Sequence, residues 1–353
     1  MRYAGDDPAG SHDVLAGGLA RALAAADERS PAPTVHVTGA ASVGATRRTI
    51  FVDIVRGDTT TAAVAQLASV GLRSVPFTAE AECVRLAGAA GVPVAEPLLA
   101  SDDPAYVGAP FQISRRVAGM TVPRHILRIV GQDRQLGSRL ARDCGTALAV
   151  LHAIDAEAVP GSVGRLVEPT PTLAYAEYLR SVAAGLPPSP VIALGQRWLA
   201  SNHPDEGPTS LVHGDFRNGN LIVSGGALAA VIDWELAHVG DPMEDLAWLC
   251  LRCWRFRADE LQVGGFGLLA DLRAAYEEAG GTWRAAAFRW WKVARTMWWC
   301  LVLQLQAAAF ESGASSSLVL AASGRKAAEL EYDLLMLIAP GTERGRPARQ
   351  RSG

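Results

Sequence analysis

The rhythm of apolar and polar positions changes twice along this chain. Residues His12 to Asp27 are rich in Ala and Leu and predict a surface helix ahead of the core. From Thr34 the period shortens. Val35–Val37, Thr49–Val55 and Thr61–Leu67 are β-branched or alternating runs separated by Gly and polar turns, the pattern of an antiparallel meander. Phe77 to Ala90 predicts a helix, Val92-Pro93-Val94 leads into an extended stretch, and Phe111-Gln112-Ile113 predicts a last strand. Beyond Gly119 helical spacing dominates, with helices expected over Leu140–Ile154, Leu173–Ala184, Val191–Ala200, Asp245–Trp254, Leu268–Ala279, Ala285–Phe310 and Ser316–Ile338. One β island interrupts them, at Leu211-Val212, Leu221–Val223 and Ala230–Ile232.

These elements divide the chain into an N-terminal helical extension (1–30), a small sheet-containing lobe (31–115), a larger helical lobe (116–340) and a tail expected to be disordered (341–353). The fold class expected is α+β, with the two-lobed silhouette of the protein-kinase fold.

Composition narrows the field. The 33 basic and 36 acidic residues leave a net charge of −3, which offers no basic field for nucleic acid. Asp6 and Asp7 stand where a signal peptide wants lysines, so a cytoplasmic protein is expected. The very apolar run Met297–Ala309 covers only about 13 residues, short of the ~20 that span a bilayer, and predicts a buried helix rather than a membrane anchor. Five scattered cysteines build no disulfide framework, and Cys250-x-x-Cys253 has no second pair, so it predicts a structural helix pair rather than zinc or redox chemistry.

The chemistry is concentrated in Leu211–Trp248. His213-Gly214-Asp215 follows a strand, and Asn220 comes five residues after Asp215, the Asp-x-x-x-x-Asn spacing of a kinase catalytic loop. In such a loop the Asp accepts the proton of the attacking hydroxyl, and an amide oxygen helps to hold magnesium. Next come a strand, the turn Ser224-Gly225-Gly226 and the returning strand Leu228–Ile232, a hairpin that brings Asn220 and Asp233 to one open end. An amide and a carboxylate there suit a hard cation bridging nucleotide phosphates. His213 is expected to brace the backbone of the loop, and Asp241 to cap or anchor its own.

The His213–Asn220 loop and Ile232-Asp233-Trp234-Glu235 together resemble the phosphotransferase family of aminoglycoside and macrolide phosphotransferases, choline kinases and homoserine kinases. Further likeness runs through Gly108–Phe111, Leu151–Asp155, Trp198–Asn202 and Gly240-Asp241-Pro242. The stretch Gly324–Asp333 resembles a narrower branch, the kinase domains fused to or encoded beside acyl-CoA dehydrogenases. The resemblance implies Asp215 as base, Asn220 and Asp233 as Mg²⁺ ligands, Arg217 as a phosphate or substrate contact, and ATP or GTP as the phosphoryl donor to a small-molecule hydroxyl.

It also exposes a gap. The family carries a strand-borne Lys or Arg toward the phosphates, held by a helix glutamate that Glu82 matches. The strand Thr61–Leu67 offers only Ala65 and Gln66 where that cation belongs, and the small lobe holds no lysine. Arg47 or Arg48 could substitute from a neighbouring strand. Ser42 and Gly44 lie in the turn expected to cover the phosphates, and backbone groups around Arg115–Val117 are expected to meet the base.

Two functions follow: a small-molecule kinase, and a pseudokinase that binds nucleotide or ligand without turnover. The intact Asp215, Asn220 and Asp233 favour the first, and the missing lysine the second. For the acceptor, Glu235, Glu244, Asp245, Asp259 and Glu260 could meet a polycationic sugar, but helix-start acids are expected to be solvated caps. The tryptophans around Trp290–Trp299 favour an apolar or acyl-type hydroxylated acceptor.

Overall fold

The structure, a computed structural model, describes residues 8–40, 47–68 and 75–339. Helix α1 (Pro8–Ala26) precedes strands β1 (Thr34–Ala40), β2 (Arg47–Arg56) and β3 (Thr59–Ala68), helix α2 (Phe77–Ala90) and strands β4 (Pro97–Ser101) and β5 (Phe111–Arg115). The strands form one antiparallel sheet in the order β1-β2-β3-β5-β4. Arg56 pairs with Thr59 across the Gly57-Asp58 loop, and Gly57 takes φ 56°, the left-handed first position of a tight hairpin turn.

Period-2 alternation gives this sheet two faces. Ile50, Val52, Ile54, Ala63, Ala65, Leu67, Phe111 and Ile113 pack with Leu15, Leu19, Ala22 and Leu23 of α1 into one core. Thr49, Phe51, Ala62, Val64, Gln66 and Gln112 turn the other way and line a cleft. The first helix, expected as a surface element ahead of the core, therefore completes it: Leu15, Leu19 and Leu23 recur every four residues and lie over the sheet.

The rest of the chain comprises helices α3 (Pro123–Gln132) and α4 (Arg134–His152), strand β6 (Gly164–Arg165), helices α5 (Pro171–Ala184) and α6 (Pro190–Ser201), and strands β7 (Ser210–Val212), β8 (Leu221–Ser224), β9 (Ala227–Val231) and β10 (His238–Gly240). Helices α7 (Met243–Leu249), α8 (Leu269–Glu278), α9 (Ala285–Glu311), α10 (Leu318–Ser323) and α11 (Ala327–Ile338) follow. An antiparallel-sheet lobe joined to a mainly helical one is the α+β, protein-kinase-like two-lobed fold. The β8–β9 hairpin sits at the junction. Met120 and Val223 exchange backbone hydrogen bonds of 2.8 and 2.9 Å, and the Val231 N–H donates to the Pro93 carbonyl at 2.8 Å.

Two expectations are corrected. The helix predicted over Ser316–Ile338 tightens into a 3₁₀ turn at Gly324–Lys326, where Gly324 packs so close to α9 that a Cβ would lie 2.5 Å from that of Ala307. The helix predicted over Asp245–Trp254 ends at Leu249, and Cys253 lies in a separate 3₁₀ turn at Arg252–Trp254. Both thiols of the C-x-x-C are free, and burial pushes Cys250 up to about 11 and Cys253 to about 12, far from reactive thiolates. Met297–Ala309 lies inside α9, with Met297, Cys300, Leu301 and Leu303 buried. Among the described residues no helix is long and apolar enough to cross a membrane. The tail from residue 340 onward lies outside the described residues.

Candidate active site

Ser224 pairs with Ala227 around Gly225 and Gly226, both left-handed at φ 58° and 80°, so β8 and β9 reverse in two residues. The ladder runs back to Leu221↔Val231, and beyond it the Ile232 N–H donates to the Asn220 carbonyl at 3.0 Å. Asn220 and Asp233 thus flank the open end of the hairpin, and both line the interlobe cavity. Asp233 is itself left-handed at φ 69°, a conformation uncommon outside Gly, Asn and Asp. Burial, joined by the charges of Glu235, Asp215 and Glu80 against the relief of Arg47, pushes its carboxyl up to about 7.

Asp215 is held on both oxygens. Oδ1 accepts from Trp248 Nε1 at 2.7 Å and from Arg217 Nε at 3.0 Å, and Oδ2 accepts from Asn220 Nδ2 at 2.7 Å. The Asn220 amide nitrogen also donates to the Asp215 carbonyl at 3.0 Å, which commits that nitrogen and leaves Oδ1 as the atom Asn220 can offer a cation. The Arg217 guanidinium lies over the Trp254 ring, 4.4 Å from its centroid.

His213, expected to brace the loop, makes its ring hydrogen bonds with backbone. Its Nδ1 accepts from the Asp215 N–H at 3.1 Å and its Nε2 donates to the Ile232 carbonyl at 3.1 Å, so both ring nitrogens are occupied by backbone. Burial holds this imidazole below its usual range. Gly214 is required twice over: φ is 76°, and a Cβ there would lie 2.2 Å from the Leu236 carbonyl oxygen.

The loop is fixed from behind by acids at a helix start that are expected from sequence to be solvated caps. Glu244 and Asp245 are both fully buried. Asp245 accepts from the His213 N–H at 2.7 Å and the Gly214 N–H at 2.9 Å, and pairs with His152 Nε2 at 3.3 Å. Burial alone would raise its pKa, yet these hydrogen bonds hold it below the usual carboxylate range. Glu244 pairs with buried Arg295 at 2.8 Å, and Arg295 Nη2 donates to the Gly214 carbonyl at 2.6 Å while its guanidinium covers Trp248, 4.2 Å from the ring centroid. Asp241 accepts from the Met243 N–H at 2.9 Å, anchoring its turn.

On the small-lobe side Glu82 is corrected to Glu80. Glu82 is about half exposed and pairs with Arg85 at 3.2 Å on the outer face of α2. Glu80, two residues and some 200° round the helix, is buried and forks onto Arg47 at 2.7 and 2.9 Å. Arg47 Nε also reaches Glu235 Oε2 at 3.2 Å, and Nη1 lies 3.9 Å from Asp233. Gln66 Oε1 accepts from Gln112 Nε2 at 2.8 Å and from Arg47 Nη1 at 3.4 Å. The cavity between the lobes measures about 780 Å³ and is lined by Thr49, Gln66, Val117, Asn220 and Asp233 among others, within the range of small-ligand sites. Arg115 and Val117 lie along its hinge edge, with the Arg115 side chain turned to Glu96 at 2.8 Å. Ser42 and Gly44 lie outside the described residues.

Beside Asp215, Trp248, Trp254, Trp298 and Trp299 pack as one aromatic cluster with centroids 5.1 to 6.1 Å apart; Trp248 and Trp254 are buried, as are Trp290 and Trp291, and Trp298 and Trp299 are partly buried against them.

A sequence model of the phosphotransferase enzyme family (APH) matches residues 38–290. Acyl-CoA dehydrogenase family member 11 of Gallus gallus is 31% identical over 199 residues, which are 53% of this chain and 24% of that protein. The chain thus matches about a quarter of the length of that curated relative. The fold is shared with macrolide 2′-phosphotransferase MphH of Brachybacterium faecium, at TM-score 0.56 and 19% identity over 83% of this chain and 91% of the other. It is shared also with a thermostable mutant of aminoglycoside phosphotransferase APH(4)-Ia in complex with AMP-PNP and hygromycin B, at TM-score 0.58 and 16% identity over 90% and 98%.

Proposed function

This chain belongs to the phosphotransferase enzyme family, and we propose that it moves the γ-phosphoryl group of ATP or GTP, held with Mg²⁺, onto a hydroxyl of a small molecule. The observation that carries this reading is the junction of Asp215, Asn220 and Asp233: a carboxylate hydrogen-bonded to an amide whose own backbone is paired beside a second carboxylate, at the edge of an interlobe cavity. The AMP-PNP bound by the APH(4)-Ia neighbour supports a nucleotide in that cavity.

The donor set suits magnesium, because Asn220 Oδ1 and the Asp233 carboxylate are hard oxygens of the kind that bind this ion together with phosphates. When bound there, the ion would neutralise charge developing on the phosphoryl oxygens. Asp215, aimed by Trp248, Arg217 and Asn220, takes the proton of the acceptor hydroxyl as it attacks. The hinge backbone around Arg115–Val117 meets the base, and residues 31–115 and 116–340 act as the covering and catalytic lobes. The partly buried Trp298 and Trp299, packed against Trp248 and Trp254 beside Arg217, support an apolar or acyl-type acceptor, since aromatic faces bury hydrocarbon.

ADP release from purified protein, ATP and a panel of hydroxylated acceptors tests this reading. Release is expected to depend on acceptor, to stop with EDTA and to return with excess Mg²⁺. Nucleotide binding without acceptor-dependent release from any member of a broad panel would count against it.

A further inference from the structure

A buried arginine on the wrong strand carries the inference. Resemblance puts the phosphate-facing cation on β3, but the residue there, Gln66, is uncharged. Thr49 of β2 pairs with Gln66, and Arg47, two residues before it at the start of β2, shares the cleft face of the sheet with Thr49 and Phe51. Its guanidinium meets Gln66 Oε1 at 3.4 Å, so the charge missing from β3 arrives beside it from the next strand.

Arg47 is only 4% exposed and its partner Glu80 only 1%. A bidentate fork onto Glu80 fixes the plane of the guanidinium, as a glutamate of the helix should do for a phosphate-binding cation. If Arg47 served only to pack the small lobe, Glu80 would suffice. Instead Nε reaches across the cleft to Glu235 at 3.2 Å, and Nη1 faces Asp233 at 3.9 Å. Among the described residues Arg47 thus meets three carboxylates, and the two on the large-lobe side flank the loop proposed to hold the nucleotide's cation. Phosphates presented there with a divalent cation offer Arg47 a new anion and offer those carboxylates a new positive charge.

We infer that Arg47 is the phosphate-binding cation of this cleft, positioned by Glu80, and that nucleotide phosphate replaces Glu235 and Asp233 on its guanidinium. The inference rests on the phosphotransferase reading of the cleft and adds the residue that supplies the missing charge.

Calorimetric titration of Mg·ATP and of adenosine, which lacks phosphates, tests it without turnover. Arg47→Gln is expected to weaken ATP about tenfold to a hundredfold, as for loss of a charged hydrogen bond, and to leave adenosine unmoved. Arg47→Gln combined with Gln66→Arg returns a guanidinium to the same space and is expected to recover most of the ATP affinity. Arg85→Gln, the same loss of charge on the exposed face of α2, should alter neither ligand. Arg47→Lys keeps the charge but not the fork and should weaken ATP roughly threefold to tenfold with adenosine constant, so it reports even if Arg47→Gln does not fold. An unchanged ratio of ATP to adenosine affinity in Arg47→Gln or Arg47→Lys, or no recovery in the double variant, overturns the assignment. If the unaltered protein binds neither ligand, the cleft itself has been misread; if it binds both and the variants are unselective, only Arg47 has.

Discussion

Asp215→Asn is expected to lower kcat by roughly 10²- to 10⁴-fold, the usual loss when a positioned proton acceptor is removed, while the KM for nucleotide changes less than about threefold. The split follows from geometry. Asp215 is tied to Trp248, Arg217 and Asn220, whereas the cavity proposed for nucleotide is lined by Asn220 and Asp233. The substitution keeps the shape and an oxygen for the Trp248 indole, but it removes the charge and sets an amide against the Asn220 amide that now donates to Oδ2. Asp215→Ala separates these effects, since it removes the base without introducing a competing donor. Both variants should lose turnover together. Retention of more than about a tenth of the activity in both would mean that Asp215 is structural and that another group takes the proton. Steady-state kinetics with the preferred acceptor, alongside nucleotide titration, makes the measurement.

Much of this site could be read from spacing alone because its parts are local. The turn Ser224-Gly225-Gly226 and two short β runs define a hairpin, and a hairpin leaves its ends little freedom, so Asn220 and Asp233 had to finish side by side. The two-lobed fold was legible for a similar reason: alternation before Arg115 and helical spacing after Gly119 assign different architectures to the two parts.

What the sequence hid depends on partners distant along the chain. Glu80 and Glu82 stand two apart and look alike as letters. The signal that separates them is the apolar stripe of α2, where Phe77, Ala81 and Val84 share the face of Glu80 while Glu82 sits beside Arg85. Arg47 needed the strand register before its neighbours were known, since Gln66, Glu80 and Glu235 meet it from a strand, a helix and the far lobe. Glu244 and Asp245 were more deceptive. Two acids in a first helical turn ordinarily complement the helix dipole from solvent, and nothing within a few residues announces that Arg295, His152 and the His213–Asn220 loop close over them. Likewise the first helix declared its apolar spacing but not the open sheet face it covers.

That hidden support should make Asp245→Ala one of the most damaging changes away from the reacting atoms. The carboxylate accepts the His213 and Gly214 N–H groups and pairs with His152 in a site sealed from water. Its removal leaves those donors buried without their acceptor, at a cost of about 1 to 3 kcal/mol for each group left unsatisfied. Urea unfolding should show a lower midpoint at an unchanged slope, and amide exchange at Gly214 should quicken even where the folded state persists. Turnover should fall as well, because His213 braces Asp215 only while its own backbone is fixed. The deficit has a defined pH dependence. Asp245 is held below its ordinary 3.8 in the fold, so its contribution is complete above that value and is lost as pH falls through the depressed one. The gap between the unaltered protein and the variant should therefore be constant near neutrality and narrow on acidification below about 4. A deficit under about 1 kcal/mol at neutral pH would mean that the loop finds other acceptors, and that Arg295, itself paired with Glu244 and donating to the Gly214 carbonyl, holds it unaided.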